Sequence, residues 1–156
     1  MKCCFTGHRS IPEKDKLNIM IKLERAVKSL VAEGCTVFCA GGALGFDTLA
    51  AECVLEVRSK YPQVHLHVIM PCRNQTKGWN SENIRSFERI NSFADEVKCL
   101  SEDYYNGCMQ SRNRYMVDNS SVIIAYLTKN NGGSAYTVKY AEKQGLRIIN
   151  IATDIL

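Results

Sequence analysis

Three glycine-bearing stretches and a few charged side chains hold the residue types that could do chemistry in this chain of 156 residues. The richest runs from Cys35 to Glu52, where Gly41, Gly42 and Gly45 follow a short apolar segment and precede Asp47 and Thr48. Glycine admits positive φ and lets backbone approach a ligand closely, and a side-chain oxygen of Asp47 or Thr48 can cap a following helix. Free N–H groups at such a helix start attract anions, phosphate above all, although three glycines can equally do no more than shape a tight turn. The turns Asn130-Asn131-Gly132-Gly133-Ser134 and Gly7-His8-Arg9-Ser10 offer further backbone donors. Arg9 and Arg112 carry planar guanidinium groups suited to bidentate phosphate contacts. His8, of a residue type with an ordinary pKa of about 6.5, is the natural general base, or else only a hydrogen-bond donor. Asp47, Glu52 and Asp118 are the acidic candidates; their structural readings are a helix cap, a helix-face charge and a partner for Arg112 or Arg114. Trp79 suits stacking on a base or packing against its own loop.

What is missing narrows the chemistry. No G-x-G-x-x-G follows the first apolar segment and no G-x-x-x-x-G-K-[ST] occurs, which argues against an ordinary NAD dehydrogenase or P-loop NTPase. The eight cysteines are scattered, mostly inside apolar runs, and read as reduced core thiols, with Cys72 and Cys108 expected in loops as exposed ones. There is no C-x-x-C and no cysteine pair with a histidine pair at zinc spacing, so no metal site is expected. His65 and His67 share a strand face without a third ligand and read as a solvated or packed face. A net charge of +4 suits an anionic ligand, while the 20 basic residues form no block of the kind that marks a nucleic-acid tract. No apolar run approaches the roughly 20 residues of a membrane span, and the N-terminus lacks the form of a signal peptide, so a cytoplasmic protein is expected.

These residues need a scaffold, and hydrophobic periodicity supplies it. Strands are expected at Lys2 to Thr6, Thr36 to Ala40, Val64 to Met70, Glu96 to Leu100, Ser121 to Leu127 and Arg147 to Ile151. Helices are expected after Ile11-Pro12, with Met20, Leu23, Val27 and Leu30 as the apolar stripe and Gly34 at the end, and from Thr48 to about Lys60. Three more run from a Ser81 cap with Ile84, Phe87 and Ile90 inward, from Cys108 to Asn119, and through Ala135, Val138 and Ala141 to Gly145. Six strands alternating with five helices predict right-handed βαβ units: one Rossmann-like doubly wound parallel sheet over residues 1–156, helices on both faces. Ligands of such sheets bind at the carboxyl ends of the strands, where every motif above falls.

Taken together, Thr6-Gly7-His8-Arg9, Gly41 to Asp47 with Ala50-Ala51-Glu52, Gln75 with Trp79, Arg112-Asn113 with Met116-Val117-Asp118, and Gly132-Gly133-Ser134 resemble the YpsA-like proteins of the SLOG superfamily. That superfamily also holds the DNA-processing protein DprA and the LOG cytokinin-activating phosphoribohydrolases. The resemblance spans nearly the whole chain and implies a Rossmann-like domain for a nucleotide or ADP-ribose-like ligand. It implies contacts from Gly7, His8, Arg9, Gly41, Gly42, Ala43, Gly45, Asp47, Gln75, Trp79, Arg112, Asn113, Asp118, Gly132, Gly133 and Ser134. Ser10 stands where the family usually has proline, and Ser134 where it usually has threonine. The LOG catalytic glutamate has no counterpart in Thr137-Val138-Lys139-Tyr140, which argues against base cleavage by that route. A nucleotide-binding sensor is therefore the leading expectation. Its rivals are a nucleotide hydrolase using His8 or Glu52 and, less favoured, a DprA-like binder of single-stranded nucleic acid; a homo-oligomer fits any of the three.

Overall fold

The computed structural model describes residues 1–153. Strands β1 (Lys2–Gly7), β2 (Val37–Ala40), β3 (His65–Met70), β4 (Glu96–Cys99), β5 (Val122–Tyr126) and β6 (Arg147–Asn150) form one sheet in the order β4-β3-β2-β1-β5-β6. Every neighbouring pair is parallel, with Cys4 opposite Cys39 on one side of β1 and Ile123 on the other. The connecting helices are α1 (Lys16–Ala32), α2 (Phe46–Lys60), α3 (Ser81–Phe93), α4 (Cys108–Asp118) and α5 (Gly133–Lys143). The result is the expected Rossmann-like α/β fold.

Both faces of the sheet are covered, and that explains why its strands read as nearly continuous apolar runs. Cys3, Phe5, Phe38, Leu66, Val68 and Ile124 pack under α1, α2 and α3, whereas Cys4, Cys39, Ile69 and Ile123 pack under α4 and α5. Helix α1 buries Ile19, Leu23, Ala26, Val27 and Leu30. Each fully buried Leu or Val contributes about 1.5–3 kcal/mol relative to exposure, so this stripe fixes the helix far more firmly than propensity does. The expected Met20 is a correction: Ile19 occupies the core-facing position and Met20 lies 37% exposed, one residue round the helix. Gly34, with φ of 100°, follows α1, and the Cys35 N–H closes back on the Leu30 carbonyl at 2.9 Å, as a glycine-terminated helix requires.

Helix starts differ more from expectation. Helix α2 begins two residues earlier than expected, behind Gly45, without a side-chain cap. Asp47 sits inside the first turn and reaches back to accept from the Ala43 N–H at 3.2 Å, while the Thr48 hydroxyl donates to the Ala43 carbonyl, so neither caps the helix. The cap of α3 is Asn80, whose Oδ1 accepts from the Asn83 N–H at 2.8 Å; Ser81 is the first helical residue. Cys72 and Cys108, expected as exposed thiols, are buried. No disulfide links any of the eight cysteines, all of which are free thiols.

Candidate functional site

Strand order reverses direction between β1 and β5: the chain steps outward from β1 to β4 on one side, then returns to place β5 against the other edge of β1. The loops leaving β1 and β5 therefore run to opposite faces of the sheet, and the gap between them is where such folds hold ligands. A crevice of about 310 Å³ opens there, lined by Gly7, His8 and Arg9 after β1, by Lys129, Asn131, Gly132, Gly133 and Ser134 after β5, and by Ala43, Asp47, Met109, Gln110, Arg112 and Asn113.

The glycine turns divide into two kinds. A Cβ at Gly7 would stand 2.4 Å from the Phe46 ring, one at Gly45 would stand 2.2 Å from the Arg9 carbonyl, and one at Gly41 would stand 2.6 Å from the Arg112 guanidinium carbon. These three let neighbouring loops and side chains close upon one another, and the Phe46 N–H duly donates to the His8 carbonyl at 3.0 Å. Gly42, with φ of 73°, faces Phe87 of α3 and does not line the crevice. At Gly133, by contrast, an added Cβ meets nothing within 4 Å. Gly132 stands before α5 with φ of 94°, and no side chain caps the helix. The first-turn N–H groups of α5 thus face the crevice without the side-chain acceptor that a capping residue would supply.

Beneath the crevice lies a buried ionic group. Arg112, 3% exposed, donates to the Gly41 carbonyl and, at 3.3 Å, to that of Ile69. Asp47 is 7% exposed beside it. Burial pushes the Asp47 carboxyl above its usual range, opposed by the Arg112 charge, the Ala43 amide, Arg9 and the Gly41 amide. Burial likewise lowers Arg112, opposed by Asp47. From this pair a chain of hydrogen bonds leads to α5: Arg112 Nε donates to Asn113 Oδ1 at 2.8 Å, and Asn113 Nδ2 donates to Thr137 Oγ1 at 3.0 Å. Thr137 Oγ1 in turn donates to the Gly133 carbonyl at 2.9 Å. The turn after β2 and the open start of α5 are therefore braced against each other through α4.

His8 joins the two loops of the switch point. Its Nε2 accepts from the Thr128 N–H at 3.0 Å, and the Thr128 hydroxyl lies at the same distance, which leaves Nδ1 to carry the proton. Burial, helped by the Lys129 charge, lowers its pKa, so the ring is neutral near pH 7. Its edge meets Tyr126, which also stacks on Phe46 at 5.9 Å.

The other expected site residues lie elsewhere. Glu52 pairs with Arg89 on the outer side of α2 and α3. Gln75 is buried and donates to the Gly41 carbonyl at 3.3 Å, bracing the turn from below. Trp79 packs edge-on against Phe87 at 5.6 Å. Asp118 accepts from the Tyr140 hydroxyl at 2.7 Å, not from Arg112 or Arg114. Among the described residues no three histidine, cysteine or acidic side chains gather as a metal site, and His67 lies 3.7 Å from Glu96. Sequence reasoning missed Lys129, which directly precedes the Asn130-to-Ser134 turn it had singled out, and Met109 and Gln110 in the first turn of α4.

A doubly wound parallel sheet with an open helix start at its switch point defines a Rossmann-like protein with a crevice of ligand-binding form. The model of the YspA SLOG family matches residues 3–154, and the chain belongs to that family. It is 28% identical over 141 residues to the uncharacterized SPbeta prophage-derived protein YoqJ of Bacillus subtilis, covering 80% of this chain and 82% of that protein. It is 31% identical over 126 residues to a UPF0398 protein of Bacillus thuringiensis, covering 79% and 68%. Among solved structures it is similar to DNA processing protein A from Helicobacter pylori, described for its single-stranded DNA binding mode, with TM-score 0.66 and 20% identity over 95% of this chain. The corresponding protein of Streptococcus pneumoniae gives TM-score 0.65 and 18% identity over 94% of this chain. The chain spans 63% and 48% of those two proteins, and the likeness is one of fold. No helix among the described residues is long and apolar enough to cross a membrane.

Proposed function

We propose that the protein binds a nucleotide or nucleotide-derived ligand in the crevice between β1 and β5, with phosphate at the start of α5. The observation that carries this reading is the uncapped turn Gly132-Gly133-Ser134, which lines the crevice and leaves open space at Gly133. Aligned N–H groups at a helix N-terminus favour an anion, and the exposed Arg9 and Lys129 at the rim add positive charge. Membership of the SLOG family and a fold like that of a single-stranded DNA binder support the ligand class. In this reading the Gly41 to Gly45 turn holds no phosphate. Its Ala43 amide already serves Asp47, and its role is to seat Asp47 and Arg112 under the ligand. Binding requires no proton transfer, and the two residues that could supply one are engaged, His8 with Thr128 and Glu52 with Arg89.

The test is thermal unfolding with a panel of nucleotides. A ligand present at about a hundred times its dissociation constant should stabilise the fold by roughly 2.7 kcal/mol, or roughly 5–10 °C for a chain of this size. Gly133→Val fills space that is empty in the free protein, so it should leave the unliganded Tm nearly unchanged and abolish the shift. Lys129→Ala should reduce it. A panel without effect on the parent, or a full shift in Gly133→Val, sinks the phosphate site.

A further inference from the structure

On the other side of His8 lies a second hollow, of about 530 Å³, which shares His8, Arg9 and Lys129 with the crevice. Its own walls are Ser10, Pro12 and Asp15, the last closing a short 3-10 turn (Glu13–Asp15) before α1, with Tyr126 at the end of β5 and Thr128 just beyond it. The two hollows flank one imidazole that is pinned in place by the Thr128 backbone. Their chemistry differs. Beyond the shared His8, Arg9 and Lys129, the crevice on the α5 side adds the glycine turn before α5 over the buried Asp47 and Arg112, whereas the hollow on the α1 side adds a proline ring, an aromatic ring and the half-buried Asp15 carboxylate.

We infer that this second hollow receives the uncharged nucleoside end of the ligand whose phosphates occupy the crevice, with Asp15 accepting from a donor group of that end. The inference rests on the phosphate reading proposed above. Asp15 repels a phosphate and attracts a neutral N–H or O–H donor, which a base amino group and a ribose hydroxyl both supply. Although Asp15 precedes α1, its carboxylate makes no cap hydrogen bond to that helix, and no ion pair engages it among the described residues. It is half-buried close to Tyr126, where its charge adds to burial in raising the Tyr126 phenol. Apolar faces of Pro12 and Tyr126 with one acceptor between them suit a flat heterocycle or a sugar. A ligand spanning both hollows passes Arg9 and Lys129, the cations common to the two, where its phosphates turn the corner.

Isothermal titration of the intact protein with pyrophosphate and with ADP tests this. The parent should bind ADP about tenfold or more tightly than pyrophosphate, the scale of one hydrogen bond to a charged group. Asp15→Ala should remove most of that advantage while leaving pyrophosphate affinity unchanged or slightly raised, since a negative charge has gone. Inosine diphosphate and deoxy-ADP separate the two sources: loss of affinity for the first assigns the donor to the base amino group, and for the second to the ribose. Equal binding of ADP and pyrophosphate by the parent, or an undiminished ADP advantage in Asp15→Ala, overturns the inference and leaves the phosphate site standing. Absence of binding by both ligands overturns the phosphate site, and this inference with it.

Discussion

Arg112 brings a guanidinium to a position where almost none of its surface meets water, and its neighbours explain how the fold tolerates it: two carbonyl oxygens and Asn113 take its donors, and the nearby Asp47 carboxylate offsets its charge. Removing one member of a buried pair costs about 3–5 kcal/mol because the other is left uncompensated. Arg112→Ala should therefore unfold several degrees below the parent even without ligand, and Arg112→Ala with Asp47→Asn should recover part of the loss. Asp47 adds a pH signature. Its folded pKa is already raised by burial, so its protonated form stabilises the fold below the ordinary carboxylate range, and that contribution is lost as pH rises through the folded value. Without Arg112 the raised value climbs further, and the defect of Arg112→Ala should be smaller near pH ~4 than at neutral pH. Equal defects at both pH values, or no recovery in the double variant, would show that Asp47 and Arg112 do not act as a pair. Sequence types alone marked Arg112 as a binding residue. Its burial was invisible there, because it arises from Gly41 making room across 71 residues of chain.

At the scale of elements, the six strands and five α-helices were legible because apolar residues alternate or run unbroken in strands covered on both faces and recur at three- and four-residue spacing in the helices, whereas the short 3-10 turn Glu13–Asp15 carries no such pattern. The helix starts were less so. Asp47, Thr48 and Ser81 are all chemically fit to cap, and the choice among them is made by where the preceding loop has to turn, which Gly45 and Asn80 decide. The brace between α4 and α5 was likewise hidden, since Asn113 and Thr137 are separated by 24 residues and the resemblance marked Asn113 only as a ligand contact. That brace gives its own test. Thr137→Val keeps the volume near that of threonine but removes the hydroxyl that holds the Gly133 carbonyl and accepts from Asn113. Loss of these two bonds should cost about 1–2 kcal/mol in the free protein. If the brace positions the open turn, ligand affinity should also fall by several fold. A stable variant with unaltered affinity would limit the brace to packing.

Across the whole molecule the thiols report how the two halves of the core hold together. Cys3, Cys35 and Cys53 belong to the layer under α1, α2 and α3, and Cys4 and Cys39 to the layer under α4 and α5. Burial pushes Cys4 and Cys53 up to about 12 and Cys39 to about 11, and raises Cys3, Cys35 and Cys72 as well. The reacting species with a thiol reagent is the thiolate, so these groups are protected both by access and by protonation. Only Cys99 is less than fully buried. Ellman-type labelling of the native protein should accordingly consume about one thiol quickly, and the remaining seven only as the molecule unfolds. If the two layers unfold as one unit, the seven should react in a single phase whose rate falls when the crevice is occupied, because ligand binding lowers the population of open molecules. Reductant should leave the Tm unchanged, there being no bridge to break. Rapid labelling of several thiols in the native state, or a Tm that drops by several degrees on reduction, would mean that the thiols are not packed as described. Two labelling phases of clearly different ligand sensitivity would place the cooperative boundary along the sheet itself.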